Sequence, residues 1–220
     1  MRSLSIASTG MLAQQTNVDV ISNNIANMNT TAFKRQRAEF QDLLYQQVSR
    51  PGASTSEDGT RAPSGIQIGA GVRTGAVYRI TEQGPMTNTS NRYDVAIDGL
   101  GYFQIMMPSG DLSYTRAGSF QLSDQGELVT TDGYRVQPDI TIPQNAIDVI
   151  ISKTGEVQVK ISGQPELQTV GQLELATFVN EAGLEAIGSN LFLETAASGQ
   201  PTVSTPGQPA FGTLTQGFLE

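Results

Sequence analysis

Between Leu4 and Met28 the positions Leu4, Ala7, Met11, Gln14, Val18, Ile21, Ile25 and Met28 fall alternately three and four residues apart. Side chains at that spacing line one stripe of an α-helix, so the segment is expected to be helical with a heptad seam interrupted at Gln14. The opposite side carries Ser5, Thr9, Thr16, Asp19 and Asn23. A narrow a/d stripe suits a helix that pairs with other helices, whereas an ordinary amphipathic helix would turn its apolar side onto its own domain. Spacing alone leaves both packings open.

Asn29-Thr30-Thr31 supplies an end to this helix and candidate N-caps for the next segment. Phe33 to Gln47, with apolar Phe33, Phe40, Leu43 and Leu44, reads as a second, shorter helix or an extended arm. Lys34, Arg35 and Arg37 form a basic cluster, expected to be a solvated face. Residues 49 to 76 are rich in Gly, Ser, Thr and Pro without lasting periodicity, which is the composition of a linker or long loop.

From Val77 onward short β runs alternate with turns. Val95 to Ile97, Gly101 to Met106 and Tyr114 to Phe120 come first, and Leu128 to Thr131 and Tyr134 to Val136 flank Asp132-Gly133, a strong hairpin signal. Val157, Val159 and Ile161 alternate with polar residues, as do Leu173, Leu175 and Thr177. Residues 195 to 209 read as another polar loop, and no fixed-period repeat is found. The fold class expected is mainly β: an antiparallel β domain with an N-terminal heptad α-helix and an extended linker segment. The expected divisions are 1–30 for the assembly helix, 31–76 for a connecting arm and loop, and 77–220 for the β domain.

Composition narrows the chemistry. The chain has 220 residues, with 13 Lys plus Arg against 21 Asp plus Glu, a net charge of -8. Phosphate neutralisation needs a basic surface, so nucleic acid is disfavoured as a partner. Residues 1 to 50 hold five basic and three acidic groups, net +2, which leaves 13 − 5 = 8 basic and 21 − 3 = 18 acidic, net -10, for residues 51 to 220. Two differently built parts are implied. With no Cys and no His, nucleophile systems built on Cys-His or Ser-His, and zinc sites built on those ligands, are excluded. The N-terminus lacks the unbroken apolar stretch of a cleaved signal peptide, and no run approaches the roughly 18 apolar residues of a membrane span.

Gly99-x-Gly101 resembles the start of a dinucleotide fingerprint, but Gln104 stands at the third Gly position and Tyr102 to Ile105 reads as strand, where a phosphate cradle needs a helix N-terminus. Asp94, Asp98, Asp111, Asp124 and Asp132 could be metal ligands or a hydrolytic carboxylate pair, yet most sit beside Gly or Ser, where Asp usually bonds its own backbone. Asn29-Thr30-Thr31 and Asn88-Thr89-Ser90 fit a glycosylation pattern and are read as structural. Phe103, Phe120, Phe178 and Phe192 are expected in the core. No catalytic, cofactor-binding or metal-binding residue is assigned, and no cofactor is expected.

The run Ile21 to Lys34, with Asn23, Asn24, Ala26, Asn27, Asn29, Thr30, Thr31, Phe33 and Lys34, resembles the N-terminal signature of the bacterial flagellar rod and hook proteins. Asp94 to Gln104, and Tyr114 to Phe120 leading to Asp132-Gly133-Tyr134, extend the resemblance over essentially the whole chain. Within that family Phe40 to Gln46, including Leu43, Leu44 and Tyr45, followed by Arg50-Pro51-Gly52-Ala53, resembles the distal rod branch, rather than the proximal rod or hook branches. Gly69 to Val77 and Val170 to Leu173 fit the same branch. Ala32 stands where many members have Gly, a difference that matters little if the backbone there is not left-handed. Members normally end in a second heptad helix, so the resemblance implies a shortened or incomplete chain.

What the resemblance implies is a structural subunit, not an enzyme, polymerising helically into a rigid hollow drive shaft that crosses the periplasm and passes torque to the hook. Its contacts would repeat without closing into a ring. Its implied partners are further copies of itself, proximal rod proteins, hook or hook-junction subunits, the P-ring and L-ring bushing, the rod cap and the type III export apparatus, with no membrane insertion. Export would need no cleaved signal peptide. The assembly stripe would be Leu4, Ala7, Met11, Val18, Ile21, Ile25 and Met28, with the lone helix disordered until partners cover it. Residues 47 to 65 are expected to add a contact that stiffens the rod. The rival from another class is a carbohydrate-acting enzyme with two carboxylates facing one cleft; a third reading is a monomeric secreted binding module.

Overall fold

The computed structural model describes residues 2–52, 63–164 and 166–220. The chain divides into two compact units: residues up to Asn29 together with Arg35–Ile80, and Thr30–Lys34 together with Thr81–Glu220.

The first unit opens with α1, Arg2–Ala26, in agreement with the heptad reading. Its end is fastened by asparagines: the Asn27 N–H and the Asn27 amide both donate to the Asn23 carbonyl, at 3.1 and 3.0 Å. Strands β1 (Gln36–Asp42), β2 (Tyr45–Ser49), β3 (Ile66–Gly69) and β4 (Val72–Arg79) come next. β1 pairs antiparallel with β4 from Gln36↔Arg79 to Asp42↔Val72, with a register shift at Glu39/Phe40. β2 pairs antiparallel with β3. Phe33 to Gln47 therefore holds no second helix. Gln36, Ala38 and Phe40 are half-buried while Arg37, Glu39 and Gln41 are exposed, and this period of two decides for strand despite helix-favouring Glu, Gln and Arg. Part of the stretch read as loop is also paired strand, namely β3 and the start of β4; its many glycines obscured the alternation. Residues 53–62 of the expected rod-specific loop lie outside the described residues.

Among the described residues of the second unit the regular structure is β, apart from a 3-10 turn at Glu181–Gly183. Its strands are β5 (Thr87–Asn88), β6 (Val95–Asp98), β7 (Phe103–Met106), β8 (Leu112–Thr115), β9 (Gln121–Leu122), β10 (Leu128–Val129) and β11 (Arg135–Gln137). They continue as β12 (Ala146–Ile151), β13 (Glu156–Ile161), β14 (Leu167–Gln172), β15 (Leu175–Thr177), β16 (Glu185–Gly188), β17 (Leu191–Leu193), β18 (Thr202–Ser204), β19 (Thr213–Gln216) and β20 (Phe218–Leu219). The largest sheet runs β16-β17-β8-β7-β11-β10-β9, a second runs β12-β13-β14, and β15-β18, β6-β19 and β5-β20 pair separately, all antiparallel. The Asp132-Gly133 hairpin forms as expected, with Val129 opposite Arg135.

The main core gathers Val95, Ile97, Phe103, Ile105, Phe120, Val157 and Val159, and a second cluster holds Tyr102, Tyr114, Phe178 and Phe192. Phe103 meets Phe120 edge-on at 5.0 Å between ring centres, and Tyr114 meets Phe178 at 4.8 Å, the arrangement aromatic quadrupoles favour. Tyr114 to Phe120 is strand only to Thr115. Beyond it the backbone turns inward, and a Cβ at Gly118 would lie 1.7 Å from the Val95 carbonyl oxygen. Only glycine lets β6 approach that closely.

Candidate functional site

The helix α1 rests on its own hairpin, but not through its apolar stripe. Ala13 and Val20 are buried, with Ile6, Thr9, Thr16 and Asn24 half-buried beside them. Along this face the Val72 N–H donates to the Thr9 hydroxyl at 3.4 Å, and the Thr9 hydroxyl donates to the Ile6 carbonyl at 2.7 Å. Asn24 imitates a strand neighbour: its amide donates to the Gln36 carbonyl and its side-chain oxygen accepts from the Gln36 N–H, both at 2.8 Å. An open groove of about 520 Å³ runs between α1 and β4, bordered by Leu12, Asp19, Leu43 and Arg73.

The heptad residues look the other way. Leu4 is 73%, Met11 68%, Val18 58%, Ile21 47%, Ile25 67% and Met28 75% exposed, and Ala7 is exposed as well. A row of large side chains left in water along one helix is uncommon on a soluble surface, which seldom carries a contiguous apolar patch without a partner for it. An ordinary amphipathic helix would have buried this row and exposed Thr9 and Asn24; the arrangement here is the reverse. The sequence reading missed Ile6, Ala13, Val20 and Asn24 as the docking face, although they too recur at helical spacing.

The signature run Asn23 to Lys34 is shared between the two units. Asn23, Asn24 and Asn27 end and anchor α1 as described, while Ala26 and Asn29 are exposed. From Thr30 the chain belongs to the second unit. The Phe33 N–H donates to the Thr30 carbonyl at 3.2 Å, and the Thr31 carbonyl accepts from the Asn190 amide at 3.0 Å. Ala32 is buried at φ 59. The backbone there is left-handed after all, so Ala in place of Gly carries strain, about 1–2 kcal/mol for an L-residue. Lys34 departs from the expected solvated cluster: it is buried, while Arg35 and Arg37 are exposed.

Lys34 ends in an ion cluster that the sequence did not reveal. Its ammonium bonds the Glu220 carboxylate and donates to the Glu82 carbonyl at 2.9 Å. Arg116 Nε donates to the other Glu220 oxygen at 2.8 Å, and the Gly84 N–H donates to Oε1 at 2.7 Å. The same guanidinium donates to the carbonyls of Gly99 at 3.0 Å and Gly101 at 2.9 Å. Burial pushes the Glu220 carboxyl up, but the Lys34 bond and the Arg116 charge outweigh it and hold it below the usual range. Burial dominates at Lys34 and pulls its ammonium below the ordinary lysine value against the pull of Glu220.

Of the distal-rod run, Leu43 borders the groove, Leu44 is almost fully exposed and Tyr45 opens β2 opposite Gly69. Arg50 is exposed, and Pro51 and Gly52 form a turn. Among the candidate carboxylates, Asp94 is buried and accepts from the Asn91 amide at 2.9 Å. Asp98, Asp111, Asp124 and Asp132 are exposed. Among the described residues no three acidic side chains gather into a cation site, and no helix is long and apolar enough to cross a membrane.

The two parts of the chain match two families of one class, the subunits of the axial structures of the bacterial flagellum. Residues 4–34 match the flagella basal body rod protein family, and residues 96–159 match the D1 domain of the flagellar hook protein FlgE/F/G family. All of the chain aligns with flagellar basal-body rod protein FlgG of Caulobacter vibrioides at 63% identity, covering 84% of that protein, and with the Bacillus subtilis protein of the same name at 39%, again over 84% of its length. Flagellar hook protein FlgE of Treponema pallidum is 42% identical over 62% of this chain, which spans 29% of that protein. The chain belongs to the flagellar basal-body rod protein FlgG family.

Proposed function

We propose that this chain is a structural subunit of the flagellar distal rod, and that it polymerises through the exposed stripe Leu4, Ala7, Met11, Val18, Ile21, Ile25 and Met28. The observation that carries the reading is the docking of α1 on its own hairpin by Ala13, Val20 and Asn24, which leaves the stripe free for helices of other subunits. Covering a large apolar side chain contributes about 1.5–3 kcal/mol, so the six larger members together supply ample drive for association. The chain performs no catalysis in this role and is exported through the flagellar type III apparatus. Residues 1–30 form the inner-tube element, 31–76 the connecting arm and 77–220 the outer layer. The partners implied by that position are proximal rod subunits below, hook or hook-junction subunits above, the P-ring and L-ring around the shaft, and the rod cap during growth.

The test places I21D or I25D in cells whose sole copy of the gene carries the change. The distal part of the rod should be missing from purified basal bodies, with the proximal part retained, while the purified protein melts within about 2 °C of wild type, since an exposed position has little folded-state role. Rods of normal length with either variant would refute the stripe as the assembly surface. A proximal rod or hook-like role predicts instead that deletion removes the whole rod, or spares it and removes the hook.

A further inference from the structure

The strongest unexplained feature lies in the second unit, where one buried carboxylate faces two cations. Glu220 comes directly after β20, Lys34 closes the short segment Thr30–Lys34, and Arg116 projects from the turn after β8. Lys34, Arg116 and Glu220 side chains are only 4–7% exposed. Among the described residues, Glu181, whose charge favours the Lys34 ammonium and which accepts from the Tyr102 hydroxyl at 3.3 Å, and Tyr102, whose ring lies 5.9 Å beneath the Arg116 guanidinium, also face the cluster.

Two segments far apart in sequence meet at this carboxylate. The Ala32 N–H donates to the Glu220 backbone carbonyl at 2.8 Å while Lys34 holds its side chain, so segment 30–34 grips residue 220 twice. Arg116 joins the pair to the sheet through the carbonyls of Gly99 and Gly101, directly after β6. Gly84 adds a third strand of chain through its N–H. Remove Glu220 and two buried cations lose their counter-ion at once, and an uncompensated buried charge is far costlier than a lost surface pair.

We propose that Glu220, Lys34 and Arg116 form a clasp that makes segment 30–34, Gly84 and residues 218–220 open and close as one cooperative unit, so that a pull on either segment is delivered to the β6–β8 core through Arg116. The proposal concerns the chain itself and survives failure of the rod reading. In a shaft under torsion it would be the joint through which load enters the β unit.

Amide hydrogen exchange of the purified full chain tests it in two ways. In the unmodified protein, the amides of Ala32 and Gly84 should exchange through one shared opening, with the same protection and the same denaturant dependence, distinct from the amides of Ile105 and Val159 in the core. In E220Q and K34M the peptides covering 30–34, 83–84 and 218–220 should each exchange at least tenfold faster, with the core strands unchanged, and the double variant should be no faster than the worse single. Unequal protection at Ala32 and Gly84, acceleration confined to the mutated side, additive acceleration in the double variant, or uniform acceleration across the unit would each overturn the clasp. Should both variants fail to fold, the wild-type comparison alone decides.

Discussion

Replacing Gly118 by Ala should be among the most damaging single-methyl changes available to this chain. The added Cβ would lie 1.7 Å from the Val95 carbonyl oxygen, where ordinary contacts begin near 3.4 Å, and the obstacle is backbone rather than a side chain that could swing aside. Relief requires β6 to move by more than an ångström, which breaks the 3.0 Å bond from the Val95 N–H to the Gly118 carbonyl. Overpacking of this kind costs about 1–3 kcal/mol, and leaving a buried donor and acceptor unpaired adds about 1–3 kcal/mol. The sum, about 2–6 kcal/mol, is a large part of the 5–15 kcal/mol typical of a folded domain. For a unit of this size it should lower the melting temperature by roughly 10 °C, read by far-ultraviolet circular dichroism because the chain has no Trp. Gly110 serves as control: its backbone is also left-handed, at φ +91, but open space surrounds it. G110A should therefore cost only the local strain of about 1–2 kcal/mol. If G118A melts no lower than G110A, the argument from close approach is wrong.

Other outcomes are expected from the same geometry. Because the folded-state Glu220 carboxyl titrates below its unfolded value of about 4.3, its contribution is complete above that value and fades as pH falls through the folded one; urea titrations at falling pH should show this loss, and E220Q should flatten it. Lys34 acts with the opposite balance: its lowered folded value means the unfolded chain holds the proton longer, so stability should rise with pH on the alkaline side as the buried ammonium is discharged. N24A removes both bonds to Gln36 and should destabilise the first unit by about 1–3 kcal/mol, with faster exchange at the Gln36 amide; protection equal to wild type would contradict the strand-mimic role. A32V puts a β-branched residue at φ 59 and should cost more than about 2 kcal/mol in chemical denaturation, whereas A32G, trading strain relief against a lost buried methyl of about 0.8 kcal/mol, should fall within about 1 kcal/mol of wild type.

The sequence was most legible where a single periodicity ruled. The heptad from Leu4 to Ile25 is helical, with Met28 in the turn just past α1, the Asp132-Gly133 hairpin pairs as read, and Val157 and Val159 are fully buried in an antiparallel sheet. It was least legible where two signals competed. Phe33 to Gln47 carries helix-favouring residues, yet pairing with β4 imposes a period of two. The helix itself carries two stripes, and the louder one, made of large aliphatics, hid the quieter face of Ile6, Ala13, Val20 and Asn24 that docks it. The ion cluster was invisible for another reason. Lys34, Arg116 and Glu220 lie 82 and 104 residues apart along the chain (116 − 34 and 220 − 116), and only the closed fold makes a basic run at Lys34 into a buried group.

A helix with one side bound to its own hairpin and another that, in the proposed rod, neighbours would cover has little room left for drift. Around α1 the positions answering to neither face, such as Ser5 and Ser8, lie on a third, narrow lane exposed to water. Substitutions tolerated by a working rod should collect in that lane. A new chemical handle or label placed on this helix belongs there too, since anywhere else it would contend with one partner or the other.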